Sequence, residues 1–112
     1  MSRTIAQVEQ DYIKAILTND TLRIKQMYRE FLPMVEQFVV RNSGTRSDAQ
    51  DVLQDGLMVV FEKTNQAGFE LTSTFKTYLF SICKFIWLKK LRKKHRSHIT
   101  FEGDMLALDL IW

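Results

Sequence analysis

One proline and four glycines are all that interrupt this chain of 112 residues. Between them apolar residues recur at every third or fourth position, the period of a helix buried on one face rather than the alternation of a strand. The pattern predicts an all-α domain, a compact bundle of about four helices. The first runs over Thr4–Leu17, with Ile5, Val8, Tyr12, Ile13 and Ile16 as its stripe, and Thr18-Asn19-Asp20 follows with good capping chemistry. The second runs over Thr21–Arg41, where Leu22, Ile24, Met27, Tyr28, Phe31, Val35, Phe38 and Val39 keep the period. Pro33 removes one backbone donor from it and predicts a kink near Arg29–Leu32.

The third helix takes Ser47 or Asp48 as its cap and runs to about Lys63. Ala49, Val52, Leu53, Gly56 and Val60 share one face; Asp48, Asp51, Asp55 and Glu62 share another, bordered by Gln54 and Met58. A loop over Thr64–Thr74 ends in Thr72-Ser73-Thr74, three candidate caps for a fourth helix over Phe75–Arg96. At roughly 100° per residue, Phe75, Leu79, Ile82 and Ile86 form its core stripe, and Phe80, Lys84, Trp87 and Leu91 a second stripe opposite. Either this helix is buried on two sides or its second stripe meets a partner. Residues 1–97 are read as the helical domain and 98–112 as a tail, or the start of a linker to a further domain.

Charge is distributed unevenly along the chain. From Lys76 to His98 there are eight Lys/Arg and no carboxylate. The whole chain has 16 Lys/Arg against 13 Asp/Glu, so without that stretch 8 bases face 13 acids, a balance of −5. A cationic helix on an acidic body points to a polyanionic partner. Phe75, Tyr78, Phe80, Phe85 and Trp87 lie among the cations. Single-stranded nucleic acid suits that mixture, because its phosphates meet the cations and its base faces meet the rings.

The sequence offers little to catalysis. His95 and His98 have no Cys or carboxylate at ligand spacing, and no glycine-rich phosphate loop occurs. Cys83 is the single cysteine, read as a buried small hydrophobe, so no intrachain disulfide forms. No metal, no cofactor and no enzyme activity are expected. The N-terminus has no apolar run, and Tyr78–Leu88, interrupted by Lys84, falls short of the ~20 residues of a membrane span. The protein is read as soluble and cytoplasmic.

Three runs carry a family resemblance. Asp48–Asp55 (DAQDVLQD) resembles the D-A-E-D-L-V-Q-E run of bacterial sigma factors of the extracytoplasmic-function group. Phe75–Ile82 (FKTYLFSI), followed by Leu91-Arg92-Lys93-Lys94, resembles their F-R-A-W-L-Y-R-I and L-R-R-R runs, and Tyr28–Pro33 (YREFLP) their Y-R-R-Y-L-P. The runs stand in the family's order and spacing over Thr21–Arg96, the module called region 2. Tyr78, Ser81, Phe85 and Lys89 depart from the pattern.

The resemblance implies a role in transcription initiation. It makes Asp48, Asp51, Gln54 and Asp55 contacts to the clamp coiled coil of the beta-prime subunit of RNA polymerase. It assigns the loop residues Asn65, Gln66, Phe69, Thr72 and Ser73 to a pocket for a flipped base of the minus-ten element. Lys76, Tyr78, Lys84, Trp87, Lys90, Arg92 and Lys93 would contact promoter DNA, including the non-template single strand. An anti-sigma factor is a further candidate partner. Family members carry a second helix-turn-helix domain, so the chain is expected to be part of a longer protein. Two other functions compete: a helical protein-interaction module with an incidental basic end, and a peripheral membrane module in which the basic, aromatic helix lies in a lipid interface.

Overall fold

The computed structural model describes residues 5–94 and folds them into four helices. These are α1 (Ile5–Leu17), α2 (Thr21–Arg41), α3 (Arg46–Thr64) and α4 (Phe75–Lys94). The expected tail at 98–112 lies outside the described residues. The connections from α1 to α2 and from α2 to α3 are tight turns. Asn19 and Ser43 adopt φ of 53° and 72° within them, the left-handed conformation that ends a helix.

Local chemistry sets where each helix begins. The Asp20 carboxylate accepts from the Arg23 N–H at 3.2 Å and caps α2. The cap of α3 is Thr45, earlier than Ser47 or Asp48. Thr45 Oγ1 accepts from the Asp48 N–H at 3.1 Å, and an Asp48 carboxylate oxygen accepts from the Thr45 N–H at 2.9 Å. That reciprocal capping box starts the helix before the residues a search for a single cap would choose. For α4, Thr74 Oγ1 accepts from the Thr77 N–H at 3.2 Å. Pro33 sits on the exposed side of α2, which continues through it as one element.

The core draws on all four helices. Ile13, Ala15 and Ile16 of α1 meet Met27, Phe31, Val35 and Val39 of α2, and Ala49, Val52, Leu53 and Val60 of α3. Tyr12, Phe31 and Phe75 form an aromatic cluster, with Tyr12 stacked on Phe75 at 4.9 Å between centroids. The Tyr12 hydroxyl donates to Glu30 at 2.9 Å, which satisfies its polar end at the surface.

Helix α3 approaches α4 closely at Gly56. A Cβ there would lie 2.7 Å from Cys83 Sγ, so the bare glycine lets the two helices meet. Cys83 is buried as expected, and burial pushes its thiol up to about 12. Among the described residues no buried side-chain polar atom lacks a hydrogen-bond partner.

Candidate functional site

Helix α4 does not bury the stripe that a fixed helical wheel selects. Its buried residues include Phe75, Leu79, Cys83, Trp87 and Leu91, every fourth position, together with Leu88. Such a row turns by about 40° at each step, so it winds around the helix as it crosses the bundle. Ile82 and Ile86, expected in the core stripe, are instead half-buried at its margin.

Trp87 requires a correction. Expected among the DNA-contacting rings, it is 4% exposed and belongs to the core. Its Nε1 donates to the Asn42 carbonyl at 2.9 Å, in the turn between α2 and α3. Gly44 lies under the ring, where a Cβ would come within 2.6 Å of Trp87 Cζ2 and 2.4 Å of Val39 Cγ1. The ring therefore fastens α4 to the α2–α3 turn and has no face left for a base.

The other expected DNA residues divide among three places. Lys76 and Tyr78 stand at the N-terminal end of α4, near the preceding loop. Tyr78 is half-buried against Phe69, with centroids 5.7 Å apart, and burial raises the pKa of its phenol. Lys84 faces α2: its ammonium lies 4.5 Å from the Phe80 centroid and 5.8 Å from that of Phe38. Lys90, Arg92 and Lys93 are exposed at the far end with Lys89 and Lys94. From Lys76 to Lys93 the helix rises by about 25 Å, so the cations form a track along α4 more than a single patch.

The expected base-pocket residues also separate. Asn65 closes the end of α3, its N–H donating to the Phe61 carbonyl at 3.1 Å. Gly68, at φ of 83°, turns the chain back so that Phe69 reaches Tyr78. Asn65, Gln66, Thr72 and Ser73 are exposed, and the Ser73 hydroxyl donates to the Thr74 carbonyl at 3.1 Å. The start of α4 just after this loop is held from a distance: the Phe75 N–H donates to the Glu9 carboxylate of α1. Helix α4 has no acid in its own first turn, so Glu9 supplies the negative charge that its dipole favours.

On α3, Asp51, Gln54 and Asp55 are exposed, with Met58 and Glu62 on the same outer face. Asp48 has a different task. Its carboxylate is held by the Thr45 N–H in the capping box, and that bond keeps its pKa below the ordinary aspartate range. Asp55 lies 3.2 Å from the Lys90 ammonium, so the acidic face of α3 borders directly on the basic end of α4.

That border contains a feature the sequence does not announce. A groove of about 670 Å³ runs between α3 and α4. Val59, Ile82, Phe85 and Ile86 supply its apolar lining, and Lys63, Lys89, Lys90 and Lys93 its positive charge, with Asp55 the one carboxylate among them. Phe85 is 62% exposed there, although its place beside the core stripe predicts partial burial. Lys63 belongs to α3 and carries no sequence signal linking it to the basic run. Among the described residues, no group of His, Cys, Asp and Glu could hold a metal ion. No described helix is long and apolar enough to cross a membrane.

Among known families, the model described as Sigma-70 region 2 matches residues 27–97. Neither the search of individual proteins nor that of solved structures gives a significant match.

Proposed function

The chain belongs to the Sigma-70 region 2 family, and from that premise we propose that it is the core-binding and minus-ten promoter-recognition module of a sigma factor of the extracytoplasmic-function group, acting in the cytoplasm. It binds and positions; it catalyses no covalent chemistry. The observation that carries this reading is the adjacency of two surfaces of opposite charge on one rigid bundle. Asp51, Gln54 and Asp55 face outward from α3, and Lys89, Lys90, Arg92, Lys93 and Lys94 crowd the exposed end of α4.

Each surface suits one partner. The carboxylates and amide of α3 offer salt bridges and hydrogen bonds to a basic coiled coil of the polymerase clamp. The cations of α4 neutralise backbone phosphates, and each neutralised phosphate adds about 0.9 to the log–log salt slope. Extruding a base costs a few kcal/mol. Stacking on an exposed ring returns about 1–3 kcal/mol per base. Phe85, exposed beside Lys89 and Lys93, takes that part in place of Trp87. The loop residues Asn65, Gln66, Thr72 and Ser73 offer polar groups to a flipped base next to Lys76.

The test is binding of core RNA polymerase, then of a forked oligonucleotide carrying a minus-ten-like single strand. Capture of core enzyme that is lost in Asp51→Ala/Gln54→Ala, together with salt-sensitive fork binding, supports the reading. Undiminished capture by that variant removes the α3 assignment. Binding to anionic vesicles but not to the fork replaces the DNA reading with a membrane one.

A further inference from the structure

We propose that the groove between α3 and α4 is a binding site for a small amphipathic anion, an apolar body such as an acyl chain that ends in a carboxylate. At about 670 Å³ the groove lies within the range of small-ligand sites. Its chemistry changes along its length. Ile82, Phe85 and Ile86 of α4, with Val59 of α3, make an apolar stretch. Lys89 and Lys93 continue that side of α4 one and two turns beyond Phe85. From Ile82 to Lys93 the helix rises by about 16 Å, so the shape suits an extended ligand with its charge at one end.

The polar groups of the groove narrow the ligand further. The Ser81 hydroxyl donates to the Tyr78 carbonyl at 2.8 Å, and Asp55 accepts from the Lys90 ammonium at 3.2 Å. Neither offers a ligand a donor. Lysine is therefore the side-chain donor that the lining presents, and an ammonium holds a carboxylate as a point charge without demanding a fixed geometry. Asp55 is neutralised by Lys90, whereas Lys63, Lys89 and Lys93 have no carboxylate partner among the described residues. The net charge facing a ligand is thus positive, and it lies beside apolar surface.

The two halves act together. Burying methylenes against Val59, Ile82 and Ile86 raises affinity by at most about fourfold for each one fully removed from water. The carboxylate at Lys89 and Lys93 sets which end of the ligand lies where and excludes a cation of the same shape. A bound anion also occupies Lys89, Lys93 and the side of Phe85, and so competes with a single strand for them. This regulatory consequence rests on the DNA-binding reading above; the ligand site itself does not.

The full chain, labelled at its methyl groups, is titrated with laurate below its micelle-forming concentration. Saturable shifts of the Val59, Ile82 and Ile86 methyl signals are expected, with affinity falling from laurate to hexanoate. Lys89→Gln/Lys93→Gln should bind laurate about tenfold more weakly, as for two exposed charge contacts. Phe85→Ser keeps every charge, replaces an exposed ring and should weaken binding as well. Dodecyltrimethylammonium, with the same chain and the opposite charge, should leave the groove signals in place. Shifts that never saturate, an equal response to the cationic amphiphile, or undiminished affinity in the lysine variant overturn the proposal. Shifts caused by phosphatidylglycerol vesicles but not by dissolved laurate also overturn it, assigning the surface to a bilayer. Laurate that lowers fork binding in step with groove occupancy supports the regulatory consequence. Saturable laurate binding with unchanged fork affinity upholds the site and removes the groove from the DNA path. Fork binding without any laurate binding overturns the site and leaves the DNA reading standing.

Discussion

The indole of Trp87 donates to the Asn42 carbonyl at 2.9 Å, joining residues 45 positions apart. This bond and the close packing of Gly44 fix where α4 lies on the α2–α3 turn, and therefore which of its cations face outward. The basic end of α4 depends on a tryptophan that never reaches solvent.

Trp87→Ala should cost about 3–5 kcal/mol of stability, the usual range for emptying a large aromatic site. Trp87→Phe keeps most of the volume and loses the hydrogen bond, leaving the Asn42 carbonyl without its donor, for about 1–3 kcal/mol. Urea denaturation monitored by circular dichroism measures both. A Trp87→Ala protein of undiminished stability would return the ring to the surface.

Gly56→Ala should destabilise by about 1–3 kcal/mol, because its Cβ meets Cys83 Sγ at 2.7 Å. Cys83→Ala removes that sulfur, so the double variant should recover much of the loss. A double-mutant cycle with a coupling beyond about 0.5 kcal/mol establishes the contact. Simple additivity of the two changes argues against it.

Glu9→Ala removes the acceptor for the Phe75 N–H and the charge at the start of α4. A loss of about 0.5–2 kcal/mol is expected, as for other helix caps. Hydrogen exchange should quicken first at Phe75 and in the 65–74 loop. Faster exchange confined to the end of α1 would show that Glu9 does not hold α4.

Asp48 predicts part of the response to acid. Its folded pKa is lowered by the Thr45 N–H, so its contribution is present above the ordinary aspartate value and is lost as pH falls through the folded one. Asp48→Asn should therefore flatten the fall in stability below about pH 4 while leaving other carboxylates to titrate. Melting temperatures measured from pH 2 to pH 7 give the comparison. Parallel curves for the two proteins would remove the capping box from the acid response.

Lys90→Ala with Lys93→Ala should make the salt dependence of fork binding shallower by roughly 1.8 in log–log slope, about 0.9 for each phosphate left without its lysine. Lys84→Ala should change it less, because that ammonium is engaged over Phe38 and Phe80. Titration of binding at several salt concentrations measures the difference. Equal changes for the two variants would place Lys84 on the same DNA path.

Helix positions were legible in the residues because each helix carries its own evidence. The bounds of α2 follow from Asp20 as cap and the apolar period that ends before Asn42-Ser43-Gly44. The buried face of α3 is likewise read directly from Ala49, Val52, Leu53, Gly56 and Val60. The cap of α3 was not, because a capping box joins two residues and shifts the start to Thr45. The last helix defeated the wheel for a geometric reason: its apolar residues lie on several sides, and only the path it takes across its neighbours selects the winding row through Cys83 and Trp87.

By itself, then, the sequence determined the number of helices, the acid on α3 and the concentration of positive charge near the end of α4, since composition and short-range periodicity are properties of contiguous residues. Only the tertiary structure decided that Trp87 is sealed against Asn42, that Glu9 holds the start of α4, and that Lys63 joins Lys89 and Lys93 around one groove. Those relationships unite residues distant in sequence, and the chain acquires them only when helix packing fixes crossing angles and burial.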